Sequence, residues 1–366
     1  MAGLDERRDC LSRTLAAVMA GGAGERFWPL SRRSRPKPFI SLVGAKPLVS
    51  MTIDRLQPTL RLSQIHVVLG EDLVPLMHEV MPQFPDTQLL VEPVARNTLG
   101  AMMLATARSM LNGDDALVAI LPADHWVPDE EIFRQDFADA VALADDGYLV
   151  TMGIRPTRPE TGYGYIHASE SFVANRAVLA DRFVEKPDRA TAAEYLTDGR
   201  FYWNSGMFFF RQDRIIEEIR RVNPEWPDLL MRMSEALAFP DASRAETLRE
   251  LLLALPNTSI DFAVMERARG IVLLPARYRW SDVGSWDTVA DLAPPSRDLR
   301  TIIIGGEEAD CQVFRSSDGP LVALVGIEDC LVAATKDAVL VVRRGDGQRV
   351  RDVVDELKDR GLEDLL

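Results

Sequence analysis

The chain has 366 residues, 42 Lys and Arg against 56 Asp and Glu, and a net charge of −14. That length suits two domains or one large domain with an appendage, and a pI near 4.9 argues against a general nucleic-acid or acidic-membrane surface. Cys10, Cys311 and Cys330 lack metal-ligand spacing and point to a reducing compartment, the 4 histidines are too scattered for a zinc site, and no run approaches the roughly 18 apolar residues of a membrane span.

Residues 1–20 superficially mimic a signal peptide, with Arg7 and Arg8 before an apolar run. Asp5, Glu6 and Asp9 spoil its basic region and the run is too short, so a cytoplasmic protein is expected, with residues 1–12 a loose extension. Residues 15–20 read as a buried strand. Gly21, Gly22 and Gly24 leave it in close succession, and a loop without Cβ atoms brings N–H groups close to a ligand. Arg26, Arg32, Arg33, Arg35 and Lys37 follow within twelve positions, with Glu25 the only acid between Gly21 and Phe39. Such a cluster in an acidic chain suits a polyanion, most simply a nucleoside triphosphate, although a strand–turn–helix connection with a solvated basic edge fits the loop as well. Neither GxxxxGK[ST] nor GxGxxG is met, since no Gly-Lys pair follows and Phe27 stands where a third glycine belongs.

Helical spacing over 47–56, 73–81, 98–111 and 131–144 alternates with strands at 65–69, 88–91, 117–121 and 148–152. This alternation implies right-handed βαβ units and a mostly parallel sheet covered on both faces. Ligands bind such sheets beyond the carboxyl ends of the strands. The segments 21–26, 92–97 and Asp124-His125 all fall there. Residues 163–167 and 182–185 read as extended and 206–210 as an apolar strand, with helices over 212–221 and 245–253; these extend the sheet with mixed strands and form a second lobe. After Ala293-Pro-Pro-Ser-Arg297, short apolar runs recur at spacings of roughly 10 residues, as in a sandwich, a barrel or a small β-solenoid. A helix over 349–360 closes the chain. The α/β catalytic domain is accordingly set at 13–295 and a small β-rich domain at 296–366.

Asp124, at a strand's carboxyl end, suits a hard-oxygen ligand for Mg²⁺, or a helix N-cap. Asp282, in the turn between Trp280 and Trp286, could complete that site or simply shape the turn. Glu185 and Lys186 lie in FVEKP, where strand geometry sends them to opposite faces and argues against an ion pair. Glu185 could meet a sugar hydroxyl and Lys186 a phosphate; an exposed edge of mixed charge is the alternative. Asn204 beside Trp203, and Gly162 and Gly164, suit polyol binding or, equally, bulges and hairpin ends. Phe208, Phe209 and Phe210 read as core.

The ordered set GGAGERFWPLSR, RPKPF, EPVARNT, LPADH, ETGYGYI, FVEKP, WNSGMF, SIDFAVME and WSDVGSW resembles the mannose-1-phosphate guanylyltransferases among the sugar-1-phosphate nucleotidyltransferases, over about residues 15–290. DCLVAATKDAVLVV resembles the family's β-rich C-terminal part. Phe27 departs from the usual Leu and Pro38 from the usual Gln, which removes an amide contact but leaves Lys37. Longer members carry a cupin isomerase domain; without a His-rich metal motif here, isomerase activity is not expected.

The resemblance implies a Rossmann-like nucleotidyltransferase fold and transfer of GMP from GTP to mannose 1-phosphate with Mg²⁺. By the same resemblance Gly21, Gly22 and Gly24 wrap the triphosphate, while Arg26 and Lys37 act catalytically on its charge. Glu92, Arg96 and Asn97 line the nucleoside side, and Gly164, Glu185, Lys186 and Asn204 the sugar phosphate. Asp124 and Asp282 hold the metal. A homodimer is left open, since β-rich tails often make self-association surfaces. The alternatives are a related enzyme for another sugar or nucleotide, and a non-catalytic homologue. The latter would be expected to lose Lys37, Asp124 or Asp282, and all three are present.

Overall fold

The computed structural model describes residues 4–22, 24–170, 177–239, 243–293, 299–304 and 311–366; the boundary set at 295/296 lies outside them. The expected loose extension is instead a helix, α1 (Leu4–Ser12). Cys10 is buried and its Sγ lies 3.1 Å from Asp145 Oδ2, while Arg13 pairs with the same carboxylate at 3.0 Å. The short sequence hid this because α1 is rich in charge, with little beyond Cys10 and Leu11 to mark an apolar side.

The first half alternates as expected: β1 (Thr14–Met19), α2 (Leu48–Leu56), β2 (Ile65–Gly70), α3 (Val74–Val80), β3 (Leu89–Glu92), α4 (Asn97–Ser109), β4 (Leu117–Pro122), α5 (Glu130–Asp145) and β5 (Leu149–Ile154). β3, β2, β1 and β4 are neighbours and parallel. Alternate side chains feed two cores. Ala16 and Val18 face the cluster containing Ile53, Met77, Phe133 and Phe137 from α2, α3 and α5; Leu15 and Ala17 face Met102 and Met103 of α4. Each large apolar side chain buried this way contributes about 1.5–3 kcal/mol.

Next come β6 (Tyr165–Ala168), β7 (Val178–Val184), α6 (Arg189–Asp198), β8 (Phe201–Arg211), α7 (Gln212–Val222), α8 (Trp226–Ala238), α9 (Arg244–Leu253), β9 (Ile271–Pro275) and α10 (Trp286–Leu292). β8 runs antiparallel to both β4 and β5 and separates them, giving a nine-stranded mixed sheet in the order β3-β2-β1-β4-β8-β5-β9-β7-β6. The strand read over 206–210 thus begins at Phe201, because Phe201 and Trp203 fill one face and Tyr202 the other. α6, α8, β9 and α10 were not read from the sequence; of these, α8 buries Trp226, Leu230 and Met233 in the α4 core.

The tail comprises β10 (Thr301–Ile304), β11 (Cys311–Arg315), β12 (Val322–Val325), β13 (Cys330–Ala334), β14 (Val339–Arg343) and α11 (Val350–Asp359). β10 pairs parallel with β12 and β11 with β13, skipping one strand each time. Parallel pairing of alternate strands without a helical crossover is a solenoid coil, not a sandwich or barrel; only β14 closes it antiparallel. The tail shares a core with the catalytic part: Phe27, Trp28, Val283 and Trp286 pack with Leu331, Leu340, Val354 and Leu357. Trp28 Nε1 donates to the Leu365 carbonyl at 2.8 Å. Among the described residues no helix is long and apolar enough to cross a membrane.

Candidate active site

Two compartments meet above the carboxyl ends of the parallel strands. The larger, about 640 Å³, is lined by Gly21, Gly22, Glu92, Asn97, Gly164, Glu185, Lys186 and Asn204 among others. The smaller, about 370 Å³, is lined by Gly24, Arg26 and Lys37. Asp124, His125 and Asp282 line both.

The glycine loop is held from two directions. Gly24 has φ +61°, and a Cβ there would stand 2.3 Å from Lys37 Cβ, so any other residue would push Lys37 away. Ser31 Oγ donates to the Gly24 carbonyl at 2.7 Å, and Phe27 packs edge-on against the fully buried Trp286. Lys37 is buried, and its ammonium donates to Asp124 Oδ2 at 2.7 Å and to the Asp282 carbonyl. Arg26 is only loosely tethered, at 3.5 Å from the Gly284 carbonyl.

The two aspartates, 158 positions apart in sequence, come from segments that pair directly. Trp126 and Ser281 exchange backbone hydrogen bonds of 2.9 and 3.0 Å. Val283, next to Asp282, is fully buried with φ +48°, a backbone state a β-branched residue holds only when its surroundings force it. Tyr163 donates its hydroxyl to Asp282 Oδ1, and burial followed by that carboxylate's charge keeps the phenol protonated. Burial raises the Asp124 carboxyl, but the Lys37 ammonium and then His125 outweigh it and leave its pKa below the usual value. Burial pushes His125 down to about 4. Its neutral ring accepts the Trp280 indole N–H at Nδ1, 3.2 Å away.

These two carboxylates fit a hard divalent cation. Asp124 Oδ1 faces His125 Nε2 only at 3.9 Å, beyond hydrogen-bond distance. Beside Asp282 Oδ2, Gly284 omits a Cβ that would sit 2.9 Å from it. Each aspartate therefore keeps one oxygen available, and phosphate oxygens would supply further ligands. Among the described residues no group of three or more His, Cys, Asp or Glu could hold a metal unaided.

Toward the base side, Glu92 Oε1 is buried with no hydrogen-bond partner, and burial lifts its carboxyl to about 7. Gly100 makes room for it, since a Cβ there would lie 3.1 Å from that oxygen. Asn97, at φ +55°, lines the same cleft. Arg96 does not: its Nε donates to the Leu252 carbonyl at 3.1 Å, which also accepts the Leu255 N–H at the end of α9.

Toward the sugar side, a Cβ on Gly164 would stand 2.6 Å from Glu185 Oε2. Asn204 Nδ2 donates to Asp261 Oδ1 at 2.6 Å, and its Oδ1 accepts from the Gly206 N–H at 3.0 Å. Glu185 and Lys186 do form an ion pair, at 2.7 Å, against the strand argument. β7 ends at Val184, and Lys186 has φ +44°, so strand alternation no longer applies. Tyr163 and Asp261 were not singled out from the sequence, although both lie inside the quoted motifs, and His125 was placed beside Asp124 at the strand's carboxyl end without a role of its own. Asp261, deep in the cleft wall, has its carboxyl raised by burial, and the Asn204 amide only partly offsets this.

A model of the nucleotidyl transferase family matches residues 15–297, so the chain belongs to that family; a MannoseP isomerase/GMP-like beta-helix domain model matches residues 308–357. Within it the chain groups with the mannose-1-phosphate guanylyltransferases. It is 37% identical over 360 residues to the mannose-1-phosphate guanylyltransferase of Escherichia coli strain K12, covering 96% of this chain and 74% of that protein. Identity to the xanthan biosynthesis protein XanB of Xanthomonas campestris is 39% over 355 residues, covering 96% and 74%. The crystal structure described as a mannose-1-phosphate geranyltransferase from Thermus thermophilus superposes with a TM-score of 0.80 at 35% identity, covering 94% of this chain and 99% of that one.

Proposed function

We propose that this protein transfers GMP from GTP to α-D-mannose 1-phosphate, yielding GDP-mannose and pyrophosphate. The observation that carries the reading is the junction. Asp124 and Asp282 stand where a cleft sized for a nucleotide and a sugar meets a smaller compartment lined by Arg26 and Lys37, and Lys37 reaches both aspartate segments from the smaller side. An α-phosphorus at that junction would have its nucleoside and the attacking sugar phosphate in the larger space and its leaving group in the smaller one.

The sugar phosphate oxygen is already ionised near neutral pH, so in-line attack requires no strong general base. Positioning and charge neutralisation do the rest. Arg26 and Lys37 meet charge growing on the leaving pyrophosphate. Asp124 and Asp282 would hold Mg²⁺, which when bound neutralises phosphate oxygens. Tyr163 and Lys37 fix those carboxylates from either side. Asn204, with one amide hydrogen committed to Asp261, keeps another for a sugar hydroxyl. Glu92 suits guanine: an ionised carboxylate accepts from both N1–H and the 2-amino group, which adenine and the pyrimidines cannot offer together. The tail exposes Ile304, Val325 and Val341, and this supports a homodimer formed through it.

A panel of four nucleoside triphosphates against several sugar 1-phosphates tests the assignment. GTP with mannose 1-phosphate should give the highest kcat/KM; a clear preference for glucose 1-phosphate or another base would replace this substrate assignment. Nucleotide binding without turnover in Mg²⁺ would revive the non-catalytic alternative.

A further inference from the structure

The smaller compartment has a wall from outside the catalytic domain. Arg351, in the first turn of α11, lines it together with Arg26, Lys37, Asp124 and Asp282. We propose that this tail arginine binds the departing pyrophosphate, so the β-rich appendage completes the leaving-group site. The inference rests on reading this compartment as the leaving-group side.

The contacts of Arg351 leave it free for that task. Its side chain is 62% exposed, and its one ion pair among the described residues is to Glu25 Oε2 at 3.6 Å. Glu25 is already held by Lys358 at 2.8 Å, about two turns further along the same face of that helix. Arg351 is therefore redundant as a brace for the loop, and most of its five N–H donors remain for a ligand. Charge makes the same point. The compartment wall carries Glu25, Asp124 and Asp282 against Arg26, Lys37 and Arg351. Arg351 adds a third cation to Arg26 and Lys37 on this wall, which favours a multiply charged anion. The shared core of Phe27, Trp28, Val350 and Val354 fixes the base of α11 beside the glycine loop, so the guanidinium is presented from a rigid helix.

The reverse reaction reads this contact directly, because pyrophosphate is then a substrate. Arg351→Ala should raise the KM for pyrophosphate about tenfold, the loss of one charge-assisted hydrogen bond. The KM for GDP-mannose should stay within about twofold, and the thermal midpoint should hold, since the side chain is exposed. Arg351→Lys should recover part of the loss. Glu25→Gln breaks the same ion pair but keeps the cation, so its pyrophosphate KM should stay level or fall. If Glu25→Gln raises that KM as much as Arg351→Ala does, the pair matters and not the cation, and the proposal is overturned. An unchanged pyrophosphate KM in Arg351→Ala also overturns it. Lys37→Met, measured alongside, separates the two failures: a raised pyrophosphate KM there keeps the reading of the compartment while Arg351 drops out, and no effect in either variant removes both.

Discussion

Replacing Glu92 by Gln keeps the size of the side chain and removes its titration. Burial lifts the folded-state pKa of Glu92 from 4.5 to about 7, with no compensating partner on Oε1. A folded-state pKa above the unfolded one means that the native protein holds the proton more tightly. The stability linked to that proton is therefore complete below about pH 4.5 and is lost as pH rises to about 7. At 1.36 kcal/mol per pKa unit the full loss is at most about 3 kcal/mol, and water in the open cleft brings it to about 1–3 kcal/mol. Urea unfolding of both proteins without ligand, at pH 5 and pH 8, measures it. Glu92→Gln should gain stability relative to the parent as pH rises, by that amount. An advantage that is the same at both pH values would refute the assignment of a buried, unpartnered carboxyl. Guanine should reverse the preference: GTP binding to the parent should release a proton below about pH 7, whereas the Gln variant should bind GTP more weakly and with little proton release.

Asp124→Asn and Asp282→Asn should each lower turnover by orders of magnitude while leaving folding intact, since neither carries core volume; near-normal rates in both at limiting Mg²⁺ would remove them from the metal site. Lys37→Met should chiefly lower kcat, because leaving-group charge grows in the transition state. Lys186→Met, in the other compartment, should raise the KM for mannose 1-phosphate far more than that for GTP, by about tenfold or more for a charge-assisted contact; steady-state kinetics with each substrate varied will show if the compartments are reversed. Deleting residues 300–366 should uncover Phe27, Trp28 and Trp286 and give aggregated or inactive protein; a soluble truncation with unchanged kcat would show that the tail neither covers nor completes the site.

Much of this molecule was legible in the chain because the relevant forces are local. Alternating apolar runs and helical spacing gave the parallel half of the sheet, since each buried strand there must be apolar on both faces. The rule that ligands sit beyond the carboxyl ends of such strands then placed the glycine loop, Glu92 and Asp124 at one edge. What could not be read depends on distant partners. β8 inserts antiparallel between β4 and β5 through side chains that satisfy two different cores. Arg96 looked like a ligand but donates to the carbonyl of Leu252, 156 positions away. Glu185 and Lys186 pair because the backbone turns left-handed just past the strand. Asp282 meets Asp124 only through the Trp126–Ser281 bridge, and Arg351 meets Arg26 only because the tail shares a core with the loop. Sequence patterning reports which surfaces must be buried; which buried surface meets which, and therefore which charges share one cavity, is settled only when the whole chain packs.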